Sequence, residues 1–216
     1  MNKKIVIFDL DGTLIASLEG IMYSMNSILT KHDYPTHELD EYRLFVGNGL
    51  KNLAIKALPQ TLDNETVDVY YKELLEFYSD HFDHEMRLYD GIEETLNVLV
   101  KRGFTLAINT NKNQKISEKI IHAFLSQWDF AHVVGSNSSH PKKPDPAGVF
   151  KILEKTGFDK SEAVYVGDTG VDLQTAKNSG IDCITVTWGF RKKEELAPFE
   201  PTHFIDNPQD ILALLD

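Results

Sequence analysis

Asp9 and Asp11, two carboxylates spaced i, i+2 and followed by Gly12-Thr13, close an apolar run that begins at Ile5. The β-branched and aromatic residues Ile5-Val6-Ile7-Phe8 read as a buried strand, and the glycine after the second acid frees the chain to turn. Side chains alternate along a strand, so acids two apart face one side if the strand continues through them. Such a pair can hold a hard cation, or divide the work of nucleophile and proton carrier. Taken alone, Asp-x-Asp-Gly is equally a turn with an acidic approach. Other polar stretches decide between the two: Asn109-Thr110-Asn111-Lys112, Lys142-Lys143-Pro144-Asp145-Pro146, and Gly167-Asp168-Thr169 with Asp172 beyond.

The elements that would position these groups alternate. From Asp90, a candidate N-cap, the pattern predicts a helix ending at Gly103, a strand over 104–108, a helix from about 115 to 125 and a short strand at Val133-Val134. Asp145-Pro146 reads as N-cap and first-turn proline of a helix to Thr156. A strand over 163–166, a helix over about 170–179 stopped by Gly180, a strand over 183–186 and a last helix after Asn207-Pro208 complete the run. Strands alternating with helices predict an α/β fold, a Rossmann-like parallel sheet with helices on both faces. Ligands of such sheets bind beyond the carboxyl ends of the strands. All the polar stretches above fall on loops at that edge.

Residues 17–86 differ in character. Leu18, Ile21, Met22, Met25, Ile28 and Leu29 recur at helical spacing, as do Leu50, Leu53, Ala54, Ala57 and Leu58, and Val67 to Phe82 form a third amphipathic stretch. No convincing strand appears among them. The expected organisation is an α/β core from 1–16 and 88–216, with a helical-bundle cap, 17–87, inserted between the first two strands. The crossings near Ala16-Ser17 and Arg87 to Asp90 would lie side by side, which makes a hinge and a lid.

Composition narrows the partners. With 216 residues, 42% of them hydrophobic, the chain can bury one sizeable core or a core plus an accessory domain. A net charge of -11, a pI near 5.1 and no basic stripe argue against nucleic acid. Four acids with a lysine would accept a phosphate only with a divalent cation among them, and Mg2+, which prefers oxygen ligands, suits that. The single Cys183 lies in an apolar stretch and reads as a buried strand residue in a reducing compartment. Lys3-Lys4 leads directly into a strand, and no apolar run is long enough for a bilayer, so a soluble cytoplasmic monomer or weak homodimer without a membrane partner is expected. His81 and His84 read as a solvated face, Tyr70, Tyr71, Phe77 and Tyr78 as packing within the helical block, Trp128 and Trp188 as packing residues, and Arg191 as part of a charged loop.

Asp9-x-Asp11-Gly12-Thr13, Thr110-Asn111-Lys112, Lys143-Pro144-x-Pro146 and Gly167-Asp168-x-x-x-Asp172, in that order, resemble the four motifs of the haloacid dehalogenase superfamily. The helical insertion sits where that superfamily carries its small cap. Val46-Gly47-Asn48-Gly49-Leu50 and Tyr89-Asp90-Gly91 resemble the phosphoglycolate phosphatase-like branch. Ala16 stands where relatives often carry an acid, and Asp145 where many have a smaller or neutral residue.

The resemblance implies a phosphatase acting on a small phosphorylated metabolite, phosphoglycolate first. Asp9 would be the nucleophile, forming an aspartyl-phosphate, and Asp11 would protonate the leaving alcohol and then activate water. Thr110, Asn111 and Lys143 would hold the phosphoryl oxygens. Asp9, Asp168 and the Asp11 carbonyl would bind Mg2+, with Asp172 as a ligand or an anchor behind it. Gly47, Asn48 and Gly49 would read the leaving group. Pyrophosphate hydrolysis and phosphoglucomutase-like transfer use the same groups and remain open. A phosphoacceptor switch is opposed by an acceptor on the first strand with a helical block inserted after it.

Overall fold

The computed structural model describes residues 3–137 and 140–215. β1 (Ile5–Phe8) leads through the Asp9–Leu14 turn to β2 (Ile15–Ala16). Four helices follow: α1 (Leu18–Lys31), α2 (Leu39–Phe45), α3 (Leu50–Ala57) and α4 (Asn64–Asp80). After β3 (Arg87–Leu88) the chain alternates: α5 (Ile92–Lys101), β4 (Thr105–Asn113), α6 (Gln114–Phe124), β5 (Phe130–Ser136), α7 (Ala147–Thr156), β6 (Ala163–Gly167), α8 (Gly170–Ser179), β7 (Asp182–Val186), α9 (Lys193–Leu196), β8 (His203–Ile205) and α10 (Asp210–Leu214).

The main sheet has the order β5-β4-β1-β6-β7-β8, and every pairing in it is parallel. β1 is central, with β4 on one side and β6 on the other. From β4 the chain moves outward to β5, then returns across the sheet to β6, so the strand order reverses beside β1 and opens a crevice at the carboxyl ends of these strands. Alternation along β1 sets the two faces. Val6 and Phe8 join the core made with Leu96 and Leu99 of α5, Ile116 and Ile120 of α6 and Ile211 of α10. Ile5 and Ile7 join the core made with Val149 and Ile152 of α7 and Leu173 and Ala176 of α8. The sheet is thus covered on both faces, as the strand and helix alternation predicts.

Helices α1 to α4 share a core of their own, in which Met25, Leu29, Tyr42, Leu53, Leu74 and Tyr78 are buried, and it is continuous with the α5 face of the sheet. Where the chain enters and leaves this block, Ile15 pairs with Leu88 and Ala16 with Arg87 in a two-residue antiparallel ladder. Several local expectations shift. Gly91, at φ +85, occupies the N-cap of α5, so Asp90 lies one residue before the cap. Pro146 is the N-cap of α7, and Asp145 serves it from one residue upstream by accepting the Ala147 N–H at 2.9 Å. β4 continues to Asn113, five residues past its expected end at 108, because its polar second half lines a buried cleft, where periodicity of apolar residues gives no signal. α2 buries only Tyr42, and β8 is three residues long, too short to announce themselves. No helix among the described residues is long and apolar enough to cross a membrane.

Candidate active site

Strand geometry persists one residue beyond β1. The Asp9 N–H donates to the Val166 carbonyl at 2.9 Å, which fixes Asp9 against β6, and its own Oδ1 accepts the Leu10 N–H at 2.7 Å. The chain then turns sharply, with Leu14 and Ile15 both donating to the Leu10 carbonyl at 3.0 Å. Gly12 makes this turn at φ +83, and a Cβ there would collide with the Asp168 carboxylate. Only glycine lets the two acidic loops approach so closely.

Asp168, at the end of β6, is fully buried. Its Oδ1 accepts the Thr13 hydroxyl at 3.0 Å and its Oδ2 the Phe190 N–H at 2.8 Å. Asp172, one turn into α8, closes a capping box: its Oδ2 accepts the Thr169 N–H at 3.0 Å and the Thr169 hydroxyl at 2.6 Å. Its Oδ1 accepts Lys143 Nζ at 2.6 Å. Lys143 also reaches Asp9 Oδ1 at 2.9 Å and the Tyr165 hydroxyl at 3.2 Å. The Asn111 side chain grips the Lys143 backbone, accepting its N–H at 2.8 Å and donating to its carbonyl at 3.1 Å. The same amide donates to the Gly47 carbonyl in the helical block at 3.2 Å.

Asp9, Asp168 and Asp172 each offer an oxygen within 4.8 Å of the others, the one such cluster of potential metal ligands among the described residues. Burial pushes Asp9 up to about 7, against the pull of Lys143 and with the repulsion of Asp172. Burial, then Asp172 and Asp9, raise Asp168 well above the usual carboxylate range. Burial works against the Lys143 ammonium too, but Asp172 and Asp9 outweigh it and hold its pKa well above the ordinary lysine value. Three buried acids around one ammonium repel one another when ionised, which is why burial and neighbouring acids raise Asp9 and Asp168. An all-oxygen donor set of this kind fits a hard divalent cation that would favour the ionised forms.

Asp11 faces a different set of partners. Its Oδ1 accepts the Ser17 hydroxyl at 2.6 Å and Lys112 Nζ at 2.7 Å. Lys112 also donates to the Tyr78 hydroxyl of α4 at 2.7 Å, so a buried chain of polar groups runs from the sheet edge into the helical block. Between them lies a cavity of about 60 Å³, lined by Asp9, Asp11, Thr110 and Lys112 on the sheet side and by Ile21, Gly47, Gly49 and Leu50 on the helical side. Thr110 is buried, and its hydroxyl accepts the Lys112 N–H at 3.2 Å. Asn48, between the two lining glycines, is exposed and lies outside the cavity wall.

Several residues with ordinary roles in the sequence gain specific ones. Tyr78 packs in the helical block as expected but also meets Lys112. Arg191 is no free loop charge: it donates to the Arg43 carbonyl and, at 2.9 Å, to the Val46 carbonyl, while Arg43 donates to the Phe190 carbonyl through Nε at 3.0 Å and Nη2 at 2.8 Å. Trp188 donates to the Thr13 carbonyl at 3.0 Å. The signal for Lys112 was its place directly after Thr110-Asn111, and that for Arg191 its place in the loop after a strand, masked by Lys192-Lys193 beside it; nothing in the sequence distinguished Arg43. His81 and His84 stack on Phe77 and Tyr23, and Cys183 is buried in β7, both in keeping with structural roles.

A sequence model described as haloacid dehalogenase-like hydrolase matches residues 6–186. A phosphoglycolate phosphatase of Pseudomonas syringae pv. tomato is 31% identical over 210 residues, covering 94% of this chain and 76% of that protein. One from Psychrobacter arcticus is 30% identical over 223 residues, covering 100% of this chain and 96% of that protein. Among crystal structures, a predicted phosphoglycolate phosphatase from Haemophilus somnus matches with a TM-score of 0.93 at 28% identity, over 100% of this chain and 99% of that one.

Proposed function

We propose that this chain, which belongs to the haloacid dehalogenase-like hydrolase family and is a phosphatase, hydrolyses a small phosphomonoester, phosphoglycolate first, through an aspartyl-phosphate on Asp9. The observation that carries the reading is the division of the two acids of one turn. Asp9 lies 2.9 Å from Lys143 among the buried acids, whereas Asp11 lies 2.7 Å from Lys112 and beside Ser17. One is placed beside a cation that can neutralise phosphoryl oxygens, and the other is placed at the cavity, where a leaving group would depart.

In the proposed sequence an Asp9 oxygen attacks phosphorus, and the ester oxygen leaves with a proton from Asp11. Water then attacks phosphorus of the aspartyl-phosphate and gives its proton to Asp11, returning both acids to their first state. Lys143 and Thr110 steady the phosphoryl oxygens. Asp9, Asp168 and the Asp11 carbonyl would hold Mg2+, which supplies positive charge to the same oxygens when bound. Asp172, whose Oδ1 accepts Lys143 and whose Oδ2 accepts Thr169, is assigned to positioning that lysine behind the metal. Asn111 is likewise assigned to holding the Lys143 backbone and the Gly47 loop. We assign the activity to the cytoplasm.

The size of the cavity, about 60 Å³, supports a leaving group of a few atoms over a hexose or a nucleoside. The names of the similar proteins support phosphoglycolate within that class. A phosphate-release screen over phosphoglycolate, pyrophosphate, nucleoside monophosphates and hexose phosphates, with Mg2+ and with a chelator, tests it. Phosphoglycolate should have the highest kcat/KM and need the metal. Preference for a hexose phosphate, or isomerisation without free phosphate, would overturn the reading.

A further inference from the structure

We infer that Lys112 is the residue that selects an anionic leaving group, pairing its ammonium with a carboxylate at the end of the substrate remote from phosphorus. The inference rests on the phosphatase reading above and adds the basis of substrate choice. Among the described residues lining the cavity, Lys112 alone carries a cationic side chain; Lys143 lies behind Asp9 and faces the acid cluster. Lys112 is buried, and two of its three donors are taken, by Asp11 and by the Tyr78 hydroxyl. One donor remains for the cavity. The rest of the wall beyond Thr110 is largely apolar, with Ile21, Val46, Leu50, Leu53 and Ile116, so Lys112 is the cation that the wall itself presents to a charge on the leaving group; Lys142 Nζ approaches Gly49 but is not among the lining side chains.

A buried cation placed this way discriminates strongly, because a neutral isostere leaves it facing a dry wall with a donor unpaired. The position also explains why the lysine is braced from two sides. β4 delivers it from the sheet and α4 delivers Tyr78 from the helical block, so the ammonium is fixed in place only when the two parts of the molecule meet.

The test compares 2-phosphoglycolate with 2-hydroxyethyl phosphate, which has the same carbon skeleton with a hydroxymethyl in place of the carboxylate. The wild type should prefer the anionic ester by at least about 10-fold in kcat/KM. In Lys112→Gln both rates fall, since Asp11 loses a partner. Phosphoglycolate should fall a further 10- to 150-fold or so, mainly in KM, the size of a lost charge-assisted hydrogen bond, so the preference collapses. Lys112→Arg should restore part of it.

An equal drop for both esters would assign Lys112 to Asp11 alone and overturn the inference. So would a wild type that handles the neutral ester as well as the anionic one, a result that needs no variant to fold and leaves the phosphatase reading intact. A wild type that releases phosphate from neither ester while hydrolysing others would overturn the phosphoglycolate assignment, and this inference with it.

Discussion

Asp9 and Asp168 are carboxylates held in surroundings that favour their neutral forms. Asp9 moves from the ordinary 3.8 to about 7, so between those values the folded chain keeps a proton that the unfolded chain has released. Its contribution to stability is therefore present at low pH and lost as pH rises through about 7. A divalent cation needs the ionised oxygens and competes with that proton. The rise in melting temperature produced by Mg2+ over a chelator should therefore be small at pH 5 and grow toward pH 8; a rise that is flat or shrinks with pH would remove Asp9 from the metal's surroundings. At this scale the acids were legible in the sequence, because Asp-x-Asp-Gly and Gly-Asp-x-x-x-Asp each follow an apolar strand pattern, so both fall at the carboxyl edge of one sheet. Lys112 stood in a quoted stretch but its role was not legible, and neither was that of Tyr78, since a lysine usually reads as solvated and a tyrosine on a helix face as packing. Their roles come from a meeting across residues 78 and 112, which no local pattern encodes.

Elements explain why these side chains stay where they are. β1, β4 and β6 bring three acid-bearing or lysine-bearing turns to one edge, and the regular strands and most of the longer helices could be read from apolar spacing alone. What escaped was short or polar: α2, β8, and the Asn109–Asn113 half of β4, whose residues face a cleft and not a hydrophobic core. The Trp188–Arg191 loop also escaped. Its Phe190 peptide donates to Asp168 and accepts from Arg43, and Arg191 returns two bonds to the carbonyl end of α2. This reciprocal pair of arginines clamps the helical block over the sheet edge. Hydrogen bonds from a charged group contribute ~1.5–3 kcal/mol each, enough to shift a closing equilibrium roughly 10-fold or more. Arg191→Ala should lower kcat/KM by about that factor and enlarge the radius of gyration in small-angle scattering, with little change in the fold of the sheet. Unchanged turnover and scattering would make the clamp incidental.

At the scale of the whole molecule, the helical block joins the sheet through the ladder of Ile15–Ala16 with Arg87–Leu88, and we take those two crossings as the hinge. Asn111 to Gly47, Lys112 to Tyr78 and the paired arginines all join the helical block to the sheet edge, and we take this arrangement as a closed form that shields the reacting groups from bulk water. The excess of 33 acids over 22 lysines and arginines makes the buried Lys143 and Lys112 the more informative, because each is spent inside the site. Shielding matters most for an acyl-phosphate, which water would otherwise destroy out of turn. The central claim is that phosphorus becomes bonded to Asp9. Rapid quenching during turnover of phosphoglycolate with Mg2+, followed by borohydride reduction and peptide mass spectrometry, tests it directly. The account predicts homoserine at position 9 only when substrate is present, and none in Asp9→Asn, which should also be inactive. Modification at Asp11, or full turnover in Asp9→Asn, would contradict it.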